Sequence, residues 1–327
     1  MVEGSVSIRR RSLLRSDAFQ RVLAFASLIV MFAAFSIASP NFATFSNIVG
    51  ILLSTAVTGI LAVGATFVII SGGIDLSVGT VMTFASVITG VLISYWGLPV
   101  PAGVAGGILA GALCGFLNGA AVAKLRVPPF IATLGMMMVA QGLSLVISGA
   151  RPIYFLATPS FRQIAMGSPA GIPNAVWIFF ASAVLGSLIL TKTVLGRYTF
   201  ALGSNEEATR LSGIAVDRWK VAVYTLCGAC SGMAGVVMAS RLNSAQPALG
   251  VGYELEAIAA VVIGGTSLSG GEGSVLGTVI GAFVMSVLIN GLRILSIPQE
   301  WQKVVVGSVL VIAVYADMVR RRRAGGR

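Results

Sequence analysis

Apolar runs separated by short polar junctions fill this chain, at residues 22–38, 48–70, 76–96, 100–122, 129–148, 174–192, 220–240, 254–268, 273–295 and 301–318. Runs of about 17 to 25 residues are what a helix needs to cross a hydrocarbon core about 30 Å thick. A closed β-barrel, the other spanning architecture, would show short alternating segments instead. The pattern predicts an all-α integral membrane protein with about ten transmembrane helices. The eighth run, 254–268, is too short to cross comfortably and reads as a broken or re-entrant helix. A basic segment precedes the first run, as in a signal peptide, but this run is long and many spans follow, so an uncleaved helix is expected.

Basic residues orient the helices. With ten crossings, one side receives Arg9, Arg10, Arg11, Arg15, Arg21, Lys124, Arg126, Lys192, Arg197, Arg210, Arg218, Lys220, Arg320, Arg321, Arg322, Arg323 and Arg327. The other receives only Arg151, Arg162, Arg241, Arg293 and Lys303 of the 22 lysines and arginines. The richer side is the cytoplasm by the positive-inside rule, which puts both termini there. The expected organisation is a basic cytoplasmic segment 1–21, a single transmembrane domain 22–318 and a basic cytoplasmic tail 319–327. Two longer junctions stand out, 149–173 outside and 193–219 inside, and neither is large enough for a separate soluble domain. The net charge of +11 is spread between spans rather than over one soluble face, so it argues topology and not nucleic acid.

Candidate chemistry is sparse. Only 10% of residues are charged and the mean hydropathy is +0.94, whereas a globular domain carries about 25% charged residues. The acids are Glu3, Asp17, Asp75, Glu206, Glu207, Asp217, Glu254, Glu256, Glu272, Glu300 and Asp317, none at the centre of a span as drawn. Ion-coupled carriers need ionisable groups near the midplane, so this distribution, with no histidine, argues against ion coupling. Cys227 and Cys230 share a helix face, but without histidine or another ligand cluster they, like Cys114, read as small buried residues rather than metal ligands. No lysine follows a glycine, so a phosphate-cradling loop is missing, as are a Ser/His/Asp set and a dinucleotide fingerprint. No cofactor, metal or catalytic residue is expected, and any ATP used must be hydrolysed by another chain.

Glycine is patterned. Gly103, Gly107, Gly111, Gly115 and Gly119 bare one side of the fourth span, and Gly273, Gly277 and Gly281 repeat the spacing in the ninth. Close helix packing explains the stripes, with a glycine-lined conduit as the alternative. Asn118-Gly119 and Asn290-Gly291 recur late in these two helices, and VIISGGIDLS loosely echoes VVIGGTSLSGG at 261–271. In SGGIDLSVG, residues 71–79, Gly72 and Gly73 permit a helix break, Asp75 and Ser77 are placed to satisfy freed amides, and Gly79 allows close packing. A plain turn between helices explains each side chain equally well. Asp75, Glu254 and Glu256 all sit at breaks, where a carboxylate caps a helix or touches a polar solute. In the junction 195–220, Ser204 and Glu207 form a predicted capping box and Gly213 a stop, giving a short helix near 205–211. With Glu206, Glu207 and Arg210 it is too polar to insert, and fits a solvated connector as well as a docking element.

At this point the motifs resemble a family. SGGIDLSVG at 71–79, KLRVPPFIATLGMM at 124–137, GRYTFALGSNEEATRLSGI at 196–214, the run 244–282 and NGL at 290–292 resemble the membrane-spanning permease of bacterial ATP-binding-cassette sugar importers, ribose-type branch, from about residue 40 to 318. Glu256 stands where that family's pattern leads one to expect aspartate, which keeps the charge. The resemblance implies a permease half in the inner membrane working with an ABC ATPase subunit, a periplasmic sugar-binding protein, a second permease chain and the surrounding lipid. It implies a monosaccharide such as ribose as cargo. It also implies an ATPase-coupling segment at Gly203, Ser204, Asn205, Glu206, Glu207, Ala208, Arg210, Gly213 and Ile214. Candidate pathway or helix-break residues are Gly72, Gly73, Asp75, Ser77, Gly79, Asn118, Glu254, Glu256 and Asn290. The competing reading is an autonomous ion-coupled or facilitative sugar carrier.

Overall fold

Apolar sequence of this kind has to satisfy its backbone hydrogen bonds internally, and it does so as helix. The computed structural model describes residues 17–325; residues 1–16 of the basic N-terminal segment and 326–327 of the tail lie outside the described residues. In chain order the helices are α1 (Asp17–Ala38), α2 (Phe45–Ile70), α3 (Val78–Gly90, prolonged by a π turn at Val91–Tyr95), α4 (Val100–Ala123), α5 (Pro129–Ser148), α6 (Pro159–Met166), α7 (Asn174–Lys192), α8 (Val194–Ser204), α9 (Glu206–Leu211), α10 (Val216–Leu242), α11 (Tyr253–Ile263), α12 (Val275–Ile294) and α13 (Gln299–Gly325). Among the described residues one strand pair occurs, β1 (Ile153–Tyr154) antiparallel to β2 (Ser244–Ala245), with Ile153 opposite Ala245.

Among the described residues, eight helices are long and apolar enough to cross a membrane: α2, α3 with its π turn, α4, α5, α7, α10, α12 and α13; residues 22–38 of α1 form a shorter apolar helix. The run expected at 254–268 becomes α11, with only 11 residues. At 1.5 Å per residue that is about 16 Å, half a hydrocarbon core. The helix stops at Gly264, and Gly265 follows with φ +90°.

The chain is therefore an all-α membrane protein organised around α2. That helix is apolar on every side and buried along all of residues 55–70, as a core helix should be. It packs against α10, α12, α7 and α11. The glycine stripe of α4 is a packing face along its length: Gly103 and Gly107 lie against Ile93 and Thr89 at the end of α3, Gly111 and Gly115 meet the backbone at Gly228 of α10, and Gly119 meets Val221. These glycines face neighbouring helices, so the stripe is a packing surface and not a conduit wall. Gly277 and Gly281 of α12 lie in the same way against Gly264 and Ala260. Cys227 and Cys230 both border Gly64 of α2 in the core. At the rim, α5 exposes Ile131, Met138 and Val146, and α13 exposes Val304, Val311 and Ile312. Such faces suit lipid, which is as apolar as the side chains themselves.

Contacts define two ends of the bundle. At one, the carbonyl of Ile70 accepts from the amide of Gly271, and Gly203 lies against both. At the other, Arg241 Nη1 donates to the Leu53 carbonyl at 3.2 Å, and Asn47 and Asn290 exchange amide hydrogen bonds at 2.9 and 3.0 Å.

Candidate functional site

The break between α2 and α3 is built by SGGIDLSVG. After Ile70 the chain turns on Gly72, whose φ is +81°, and heads back into the bundle, burying Asp75 and Ser77. Asp75 Oδ1 accepts from the Ser77 amide at 2.9 Å and the Ser77 hydroxyl at 2.6 Å. Asn118 Nδ2, from α4, donates to Ser77 Oγ at 2.9 Å. A Cβ on Gly73 would strike the Tyr224 hydroxyl of α10. Asp75 thus holds one freed amide, but Ser77 Oγ caps none: the serine is occupied between Asp75 and Asn118. Asn118 is a buried strut of this network rather than an open wall. The acid stands at a segment end in the sequence, and only the inward path of the break buries it.

This arrangement gives a graded expectation. Asp75→Asn keeps a carbonyl oxygen for the Ser77 amide and should melt close to the parent when purified in detergent. Asp75→Ala strands buried polar groups and should lose about 1–3 kcal/mol. Equal melting of the two variants would remove the network from the fold's stability, and normal uptake by both at normal abundance would remove Asp75 from transport.

Gly79, in the first turn of α3, lies against Gly250 and the carboxylate of Glu254. Glu254 is only 6% exposed, and its Oε1 accepts from the Gly252 amide at 3.0 Å at the start of α11. Glu256 and Asn290 are elsewhere, on a polar cavity between α2, α10, α11 and α12. The nine candidate pathway residues therefore fall into a break cluster (Gly72, Gly73, Asp75, Ser77, Asn118), a packing pair (Gly79, Glu254) and a cavity pair.

The junction 193–214 folds as two helices. Thr193 caps α8 by accepting from the Gly196 amide at 3.4 Å. Asn205 then interrupts the helix with φ −162° and ψ 101°, and its Oδ1 accepts from the Ala208 amide at 2.9 Å. The capping box expected from Ser204 and Glu207 does not form, because Ser204 is still the last helical residue of α8 and its hydroxyl lies at Gly271. The short helix itself is present as α9, and Gly213, with φ +81°, donates to the Arg210 carbonyl just past its end. Beyond the turn at Ile214, Arg210 bridges Glu206 at 3.4 Å and Asp217 at 3.1 Å, and Lys220 reaches Glu206 at 2.6 Å. The hydrogen bond to Asp217 raises the Arg210 pKa above its ordinary value. Tyr198 packs on Trp219 at 4.8 Å between ring centroids. α8 and α9 are thus tied to the start of α10, while Glu207, Ala208 and Leu211 stay open, Leu211 at 83% exposure.

Gly203 is the point where this segment enters the bundle. It lies against the Ile70 carbonyl and the Gly271 amide, and Gly270 lies against both Gly203 and Gly72. One segment thereby touches the α2–α3 break and the α11–α12 break with no side chain between. The two echoing stretches, 68–77 and 261–271, are brought together here. Sequence reading missed Tyr224, Thr58, Arg241 and Arg293, which reach these sites from other helices. Arg293 carried a signal, since it falls inside the apolar run 273–295.

Comparison with known proteins gives a consistent result. The family described as branched-chain amino acid transport system / permease component matches residues 47–314. The ribose import permease protein RbsC of Escherichia coli is 44% identical over 89% of this chain and 91% of its own length. RbsC of Bacillus subtilis is 42% identical over 91% and 92%, and the L-arabinose transport system permease protein AraH of Escherichia coli 38% over 90% and 89%. No solved structure matches the chain significantly.

Proposed function

Because the chain belongs to the branched-chain amino acid transport system / permease component family, we propose that it forms one half of the translocation pathway of an importer for a ribose-type monosaccharide. It is a multi-pass inner-membrane protein and the permease subunit of an ATP-binding-cassette sugar importer. The observation that carries the ribose assignment is the 44% identity with a ribose import permease across nine-tenths of both chains. Arabinose is the second reading, favoured by the 38% identity with an arabinose permease.

In this reading the ATPase is a separate subunit that docks on α9, where exposed Leu211 offers an apolar knob beside Glu206, Glu207 and Arg210. A periplasmic sugar-binding protein delivers the solute at the opposite end, and a second permease chain, identical or homologous, completes the pathway. The chain crosses the bilayer ten times, with α11 and the re-entering segment before it making the eighth crossing. The contacts support this path, since α11 links the Gly250 level of the bundle to the Gly203 end from which α12 returns. Both termini are cytoplasmic, flanking a single transmembrane domain at 22–318. Motion of α9 on the ATPase acts through Gly203 on both helix breaks at once.

Uptake of labelled ribose, arabinose and other monosaccharides, by a deletion strain and its complemented parent with and without a protonophore at maintained ATP, tests the reading. Uptake that needs this chain and the ATPase gene, and survives the protonophore, is expected. Uptake that collapses with the proton gradient would overturn it in favour of an ion-coupled carrier.

A further inference from the structure

A cavity of about 70 Å³ opens between α2, α10, α11 and α12, with Arg241, Arg293, Glu256, Tyr253, Ser54 and Asn290 on its walls. Three of its polar groups are held by neighbouring residues. Arg241 Nη1 donates to the Leu53 carbonyl at 3.2 Å, Thr58 Oγ1 donates to Glu256 Oε2 at 3.3 Å, and the amide pair with Asn47 fixes Asn290. The charges do not close on one another. Among the described residues the ion pairs involve only Arg210, Lys220, Glu206 and Asp217, so neither guanidinium is within pairing distance of Glu256. Opposite charges in a region of reduced dielectric attract strongly. Their separation means that the framework holds them apart across an open space, which is how a preorganised site is made.

The capacity left over is mixed. Guanidinium N–H groups only donate, the carboxylate only accepts, and the Tyr253, Ser54 and Ser286 hydroxyls do both. A simple anion would suit the arginines and be repelled by Glu256, a cation the reverse, and an apolar ligand would leave every group unpaired. Neutral hydroxyls, each a donor and an acceptor, satisfy all of them. At about 30 Å³ of liquid volume per water, the space holds roughly two waters, which hydroxyls of a polyol replace.

We propose that this cavity is a binding site, within a single permease chain, that takes up two or so hydroxyls of a neutral polyhydroxylated solute. Glu256 accepts from its hydroxyls and Arg241 and Arg293 donate to them. The proposal rests on the sugar-import reading and deepens it, because it gives the solute a station at the Arg241 end of the bundle, away from the Gly203 junction.

The test uses the assembled permease–ATPase complex in lipid nanodiscs without binding protein, titrated with labelled D-ribose, L-arabinose and glycerol, with inorganic phosphate as competitor. Saturable binding of at least one polyol is expected, weakened roughly tenfold or more by Glu256→Gln and by Arg293→Gln, unchanged by Arg162→Gln, and indifferent to phosphate. Both site variants are checked by size-exclusion profile, and Glu256→Gln preserves the side chain's shape. Binding equal in parent and site variants overturns the site, as does competition by phosphate, which would make it an anion site. Absence of saturable binding for all three polyols also overturns it, even where the same nanodiscs import sugar when given binding protein and ATP. Failure of import with polyol binding lost in Glu256→Gln would sink the transport reading and leave the site standing.

Discussion

Gly203→Val is expected to abolish sugar uptake while the chain still reaches the membrane. A Cβ at this position would meet the Ile70 carbonyl and the Gly271 amide, two backbone groups that are themselves hydrogen-bonded at 2.8 Å. Neither can step aside as the end of a flexible side chain could, so the end of α8 must move off both helix breaks. Overpacking of this kind costs about 1–3 kcal/mol in a packed interior. Here the local cost falls on the contact proposed to carry ATPase motion into the bundle, so function is expected to fail before the fold does. Uptake should drop at least tenfold at half or more of the parental membrane abundance, and ATP hydrolysis by the assembled complex should lose its stimulation by the sugar-loaded binding protein. Gly203→Ala should be intermediate. Gly50→Ala, whose added carbon meets nothing, should be silent. Normal stimulated hydrolysis and uptake by Gly203→Val would detach α8 from coupling and reduce it to a connector.

The reason this junction was only half legible in the sequence is physical. Helix runs announce themselves by length and apolarity, so α2 to α5, α7, α10, α12 and α13 lie close to their predicted positions, and the run at 254–268 is visibly too short to cross comfortably as one helix. The short helix α9 was legible because Glu206, Glu207 and Arg210 cannot enter lipid. Its cap was not, because Ser204 and Asn205 are both good capping residues, and the choice between them depends on where α8 ends, which Gly271 and Ile70 decide from distant parts of the chain. Asp75 shows the same limit. Its spacing marks a helix break, but its burial follows from the return of the chain into the bundle and from Asn118 on α4, forty-odd residues away. The cavity was least legible of all. Arg241 sits at the end of one apolar run and Arg293 just inside the end of another, where a positive charge ordinarily marks an interface, and only the packing of α10, α11 and α12 around α2 puts both on the cavity wall with Glu256.

Gly228→Val should be the most destabilising of the single substitutions considered. Gly228 faces the Gly111 carbonyl and the backbone of Gly115, so α4 and α10 touch main chain to main chain, the geometry that small residues permit between membrane helices. Within lipid no hydrophobic driving force holds two helices together, and close van der Waals contact with its weak Cα–H···O bonds supplies much of the attraction. A branched side chain here separates the helices over several turns, losing contacts at Gly111, Gly115 and Gly232 together, so the loss should exceed the overpacking cost of a single core site, about 3 kcal/mol. The purified chain is expected to melt well below the parent, with membrane abundance falling in parallel. Gly142→Ala, on the open side of α5, makes the contrast: it adds a better helix former, worth up to about 1 kcal/mol, and meets no neighbour, so its melting temperature should equal or exceed the parent's. Parental melting of Gly228→Val would mean that α4 is not seated on α10 by its glycine stripe, and the stripe would again be free to line a conduit.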